Sequence, residues 1–237
     1  MIKSVEEITT GYIRNNNYVY TVSGNIFPEN MMRYDVFTLR EPICNAIGHQ
    51  DYGMGARIEL LEYEDEKLVI QNYGQFIPNS VEDVVEKDCP DSRYRNPFLM
   101  EAMCNIGMAE TEGGGIRKLF VQQKKRFFPM PIYDLSGQKV RCEIQGKVLD
   151  ENFAKILVNN PDLSLPEIIM LDKVQKREYS SLTDDAVALL RQKKFVEGKR
   201  SSLYLSFKIV ESSKHIGLKA SYTLIPQHYS LTLFISA

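Results

Sequence analysis

Arg40-Glu41-Pro42-Ile43-Cys44-Asn45-Ala46-Ile47-Gly48-His49-Gln50-Asp51-Tyr52 is the stretch on which the reading of this chain turns. It closes a helical pattern running over about residues 34–47, and Gly53 and Gly55 then break the chain. Glu41 and Asn45 stand four apart, so one helical face would present a carboxylate beside an amide oxygen, a pair suited to activating water and holding magnesium. The same spacing also fits an amphipathic helix with two solvated polar residues. Pro42 bears on the choice, because a proline inside a helix removes a hydrogen bond and costs about 3 kcal/mol. If Pro42 instead opens the helix, Glu41 becomes the cap and need not stack over Asn45. His49 and Asp51 lack a Ser or Cys nucleophile motif and read as a polar pair that fixes the loop through capping bonds.

Upstream, residues 4–14 carry a helical pattern stopped by Asn15-Asn16-Asn17, which predicts a lead-in helix. Downstream, residues 57–63 and 67–72 are strand-like around an acidic turn at 64–66. Helical patterns at 97–106 and 116–126 flank the run Gly113-Gly114-Gly115, and a second hairpin over 131–135 and 139–144 turns at Ser136-Gly137. Hairpins interleaved with helices predict an α+β sandwich over residues 1–150. The glycine run before a helix can expose consecutive backbone N–H groups at the positive helix end, a cradle for phosphate; it is equally a tight turn between helices. Arg117 beside it could meet that phosphate or face water.

After Asp150 the pattern changes. Helices are expected at 152–158, 165–176 and 183–194, then a hairpin over 195–205, which together spell a winged helix. Arg191, Lys193, Lys194, Lys199 and Arg200 cluster near the end of its third helix and the hairpin tip, where they could meet DNA phosphates. Asp184, Asp185 and Glu197 dilute that patch, so a solvated face or a dimer contact fits as well. The tail from about 213, interrupted by Pro226, has no assigned place.

Taken together, Arg40-Glu41, Asn45-Ala46-Ile47, His49 and Asp51-Tyr52 resemble the N-box of GHKL ATPases, the gyrase and histidine-kinase superfamily. Asn72-Tyr73-Gly74 after a strand, Arg95-Asn96-Pro97-Phe98 before a helix and Glu112-Gly113-Gly114-Gly115-Ile116-Arg117 narrow it: the chain resembles the RecG-like C-terminal ATPase family, akin to Schlafen-type bacterial regulators. The resemblance spans roughly residues 34–210 and implies a Bergerat-like two-layer α/β sandwich over 1–150 followed by a winged helix over 151–237. It implies Glu41 as general base, Asn45 as magnesium ligand, and Asn45, Asn72, Gly74, Gly113, Gly114 and Gly115 as nucleotide-binding residues, with ATP and magnesium as cofactors. Many GHKL proteins carry an aspartate where Asn72 stands, so the resemblance implies weak ATP binding. No helicase motor motif accompanies these features.

The implied function is a nucleotide-responsive, DNA-binding transcriptional regulator whose partners are double-stranded DNA, a nucleotide and a second copy of the chain. The alternatives are a genuine ATPase whose winged helix docks partners, and a scaffold with a relic pocket. Composition agrees with a globular protein: of 237 residues 43% are hydrophobic and 25% charged. With 29 basic and 31 acidic residues the net charge is −2, so any nucleic-acid site must be local. Four cysteines without a CxxC pair and three scattered histidines argue against zinc. The absence of a leader-like or membrane-length apolar run points to the cytoplasm.

Overall fold

The computed structural model describes residues 9, 11, 13–14, 17–20, 29–64, 66–78, 80–86, 93–109, 114–206 and 231–235. Most of the expected lead-in helix, Gly113 and most of the tail lie outside them. A two-stranded antiparallel ribbon, β1 (Asn17–Tyr20) and β2 (Glu29–Met32), precedes helix α1 (Val36–His49). Asp35 starts α1 by accepting from the Thr38 N–H at 2.5 Å. Pro42 lies inside this helix and does not open it. The late start considered above is therefore corrected: the missing N–H is tolerated because Leu39, Ile43, Ala46 and Ile47 are buried to 2% exposure or less. At about 1.5–3 kcal/mol for a large aliphatic side chain, such burial outweighs one broken bond.

Strands β3 (Ile58–Tyr63) and β4 (Lys67–Tyr73) form the first hairpin, paired Glu62 to Leu68 and Leu60 to Ile70. Helices α2 (Val81–Glu86), α3 (Pro97–Asn105) and α4 (Gly115–Lys125) follow, then the second hairpin, β5 (Ile132–Asp134) and β6 (Lys139–Gln145). β6 pairs with β4, so the sheet order among the described strands is β5-β6-β4-β3-β9, all antiparallel. The strand β9 (Leu231–Ile235) comes from the tail that sequence left unplaced, and it adds to β3 on the edge of this sheet. Period-two alternation puts Leu60, Leu68, Ile70, Cys142 and Ile144 against α1, α3 and α4, making one core with Ile43, Ile47, Met103 and Leu119. This mixed α+β arrangement, helices on an antiparallel sheet, fits an ATPase-type domain.

Residues beyond Asp150 form α5 (Glu151–Asn159), α6 (Leu165–Gln175), α7 (Asp184–Gln192) and the hairpin β7 (Val196–Lys199) and β8 (Ser202–Leu205). Pro166 and a capping box between Ser164 and Glu167 start α6, while Thr183 caps α7. Their core does not close on itself: Phe153, Ile168, Leu171 and Leu190 pack with Val85 of α2, Phe120 of α4 and Met130. Among the described residues no helix is long and apolar enough to cross a membrane.

Candidate functional site

α1 crosses the sheet over β4, and the start of α4 meets the middle of α1. Between them lies a cavity of about 120 Å³ whose wall includes Glu41, Asn45, Asn72, Gly114 and Gly115. Residues more than 70 positions apart in the chain are thus brought together. Glu41 and Asn45 share one face, as their spacing requires, and the Asn45 Nδ2 donates to Glu41 Oε1 at 3.0 Å. That bond leaves the Asn45 amide oxygen as an acceptor. Asn72 follows Ile70 on the helix-facing side of β4; it is 5% exposed and donates to the Tyr73 carbonyl at 3.3 Å, which leaves its Oδ1 for a ligand.

The start of α4 is built on Gly114, whose φ of 76° is left-handed and favours glycine. Gly114 offers no side-chain cap, and the first turn of α4 holds no acidic residue. The carboxylate of Glu41 reaches this helix start from across the cavity: a Cβ placed on Gly115 would overlap Glu41 Oε1. Gly115, part of the glycine run singled out in the sequence, thus lies against a carboxylate supplied by the chain itself.

One expected position stands elsewhere. Gly74 is absent from the cavity wall; it turns the chain at φ 122° under Arg95, whose Nε donates to the His49 carbonyl at 3.2 Å. Tyr73 likewise lies off the wall. His49 and Asp51 belong to a lattice that fastens the end of α1. Asp51 accepts from the Gly53 N–H at 3.1 Å and lies 3.6 Å from Arg95, while Asn96 donates to the carbonyls of Gly48 and Gln50. Gln50, 1% exposed, accepts from the Tyr73 N–H at 2.9 Å and ties the same loop to β4.

Sequence reading missed Tyr133, Cys142, Met100 and Arg93 as wall residues. The alternation of β6, which puts Val140 and Cys142 on the face of Ile144, carried that signal for two neighbouring positions. The titratable wall is mostly neutral. Burial pushes the Cys142 thiol and the Cys44 thiol up to about 12, and lifts the Tyr133 phenol well above its usual value. Burial, then the Arg95 charge, holds His49 down at about 4. The formal charges left on the wall are Glu41 and Arg93.

Beyond Asp150 the five basic residues divide. Arg200 donates to the carbonyls of Tyr179 and Leu182 and pairs with Asp184, Arg191 donates to the Gly198 carbonyl at 2.8 Å, and Lys193 pairs with Glu167. Lys194 and Lys199 are exposed.

With this geometry established, one family can be set beside the chain. Residues 55–144 match the family model described as "Putative ATP-dependent DNA helicase recG C-terminal". The matched segment is similar to the domain that model describes; it contains Asn72, Gly74, Gly114 and Gly115, and it begins after Glu41 and Asn45. Among solved structures, the chain is similar to the DIP2311 protein from Corynebacterium diphtheriae, at 15% identity and a TM-score of 0.53, over 86% of this chain and 46% of that one. The likeness is one of fold, and the chain spans less than half of that structure's length. No curated protein matches it.

Proposed function

We propose that this chain is a nucleotide-responsive, DNA-binding regulator, with a GHKL-type pocket that takes an adenine-type ligand and a winged helix over residues 151–206 that meets duplex DNA. The observation that carries the first half is the convergence of Asn45, Asn72, Gly114 and Gly115 on one cavity, inside or beside a segment matched to an ATPase-type family. The base end is supported by the wall chemistry: the apolar Ile70 and Met100, with the Asn72 amide as a polar contact, suit a flat heteroaromatic ring. The phosphate end does not fit while the Glu41 carboxylate lies against Gly115. The cavity of about 120 Å³ is also below the roughly 300–1,000 Å³ of common ligand pockets. Magnesium would rest on the Asn45 oxygen with water and ligand oxygens, since no cluster of three His, Cys, Asp or Glu side chains occurs among the described residues.

The hydrolase reading is less favoured for the same reason: a general base must reach a water, and Glu41 is engaged by Asn45 and the start of α4. For DNA, the exposed Lys194 and Lys199 near the hairpin are the contacts we favour. The decisive measurement is the melting temperature of the full chain under millimolar ATP with magnesium, and under adenosine. A ligand that binds only the folded state adds RT ln(1 + [L]/Kd) to the unfolding free energy, about 2.7 kcal/mol at a hundredfold excess over Kd, and so raises the melting temperature. A rise with either compound is expected. No rise with both would make the pocket a relic and the chain a scaffold.

A further inference from the structure

The proposal above leaves open which part of a nucleotide the cavity accepts, and the placement of Glu41 answers it. We infer that the Glu41 carboxylate is a built-in substitute for phosphate, seated at the N-terminus of α4, and that the pocket in this form selects a phosphate-free nucleoside or base over a nucleoside polyphosphate. The inference rests on the adenine-type reading of the same cavity.

Three observations converge. α4, eleven residues long, lacks an acidic first turn and a side-chain cap of its own, and the group found at its start is Glu41. The approach is close enough that any side chain at position 115 would displace the carboxylate, so the seat and its occupant are complementary in shape as well as charge. The rest of the wall supplies little to replace it: His49 is neutral at physiological pH, and Arg93 is the one Lys or Arg among the described wall residues. A polyphosphate brought to the α4 terminus would meet a carboxylate at van der Waals distance in a partly desolvated slot. Like charges repel there more strongly than in water. A nucleoside places its ring in the same slot and has no anion to contest the seat. The Asn45 Nδ2, by donating to Glu41 Oε1 at 3.0 Å, holds the carboxylate in that position.

The test compares two affinities by calorimetry on the full chain, adenosine and magnesium-ATP, in the native protein and in Glu41→Gln. The native protein is expected to bind adenosine at least as tightly as ATP. Glu41→Gln, which keeps the side-chain length and removes the charge, should shift the ratio tenfold or more toward ATP. Should Glu41→Gln lose its cooperative melting, Glu41→Asp retracts the carboxylate by one methylene, and the same direction of shift is expected. ATP binding tenfold tighter than adenosine in the native protein, or a ratio that stays put in a folded variant, overturns the inference while sparing the pocket. Failure of both ligands to bind any of these proteins overturns the adenine-type reading itself, and this inference with it.

Discussion

His49 shows how one side chain can make this fold sensitive to acid. Its ring lies 5.4 Å from that of Tyr94, and burial together with Arg95 holds its pKa at about 4, against 6.5 for the free side chain. Between those values the unfolded chain binds a proton that the folded chain does not, so stability rises with pH across the window from about 4 to 6.5. The full contribution is on the order of 3 kcal/mol, taking 1.36 kcal/mol for each pKa unit. Urea unfolding at pH 4.5 and pH 7.5 should therefore show a drop in stability at the lower pH that is largely absent in His49→Gln. An equal drop in both proteins would place the acid sensitivity elsewhere. Gln50 and Asn96, neighbours in this lattice, bond backbone groups through neutral amides and have no such dependence.

Among the elements, α6 ties the two halves together. Asp172 is 4% exposed; it accepts from the Met130 N–H at 2.9 Å and from Gln175 at 2.6 Å, and it pairs with Lys176. Lys176 in turn donates to the Met130 carbonyl at 2.7 Å. The loop leading into β5 is thus pinned to α6 through both of Met130's backbone groups. Desolvation raises the Asp172 pKa, with Lys176 the main opposing influence. Lys176→Met keeps most of the side chain's bulk and leaves the buried carboxylate without its cation. The expected cost is about 3 kcal/mol or more in chemical denaturation. A loss under 1 kcal/mol would mean that the hydrogen bonds from Met130 and Gln175 already satisfy Asp172.

At the scale of the whole molecule, the sharing of Val85, Phe120 and Met130 with residues of α5, α6 and α7 makes a cut after Asp150 costly, because it would expose that apolar surface. DNA binding is better tested by point changes. Arg200 and Arg191 hold backbone carbonyls, so their removal would mix folding with binding. Lys194→Ala with Lys199→Ala touches exposed positions only. If these lysines meet phosphates, the double variant should bind duplex DNA more weakly and lower the slope of log K against log salt by about 1.8, roughly 0.9 for each contact. An unchanged slope would remove this patch from the interface.

Most of the order of helices and hairpins from residue 34 to 205 was legible in the sequence, because local signals wrote it: period-two strands, helical apolar stripes and Gly137 at a turn; the short α2 was not read. Glu41 and Asn45 were likewise legible as neighbours, since four residues make about one helical turn. What local pattern could not carry was decided by long-range packing. Tolerance of Pro42 depends on the core that buries α1, and the place of the tail strand depends on an open sheet edge at β3. The contact of Gly74 with Arg95 and the bond of Arg200 to the Tyr179 carbonyl likewise join residues 21 positions apart. The most consequential of these is the Glu41 carboxylate at the start of α4. Sequence supplied a carboxylate and a glycine-rich helix start some seventy residues apart, and only the folded chain put one against the other.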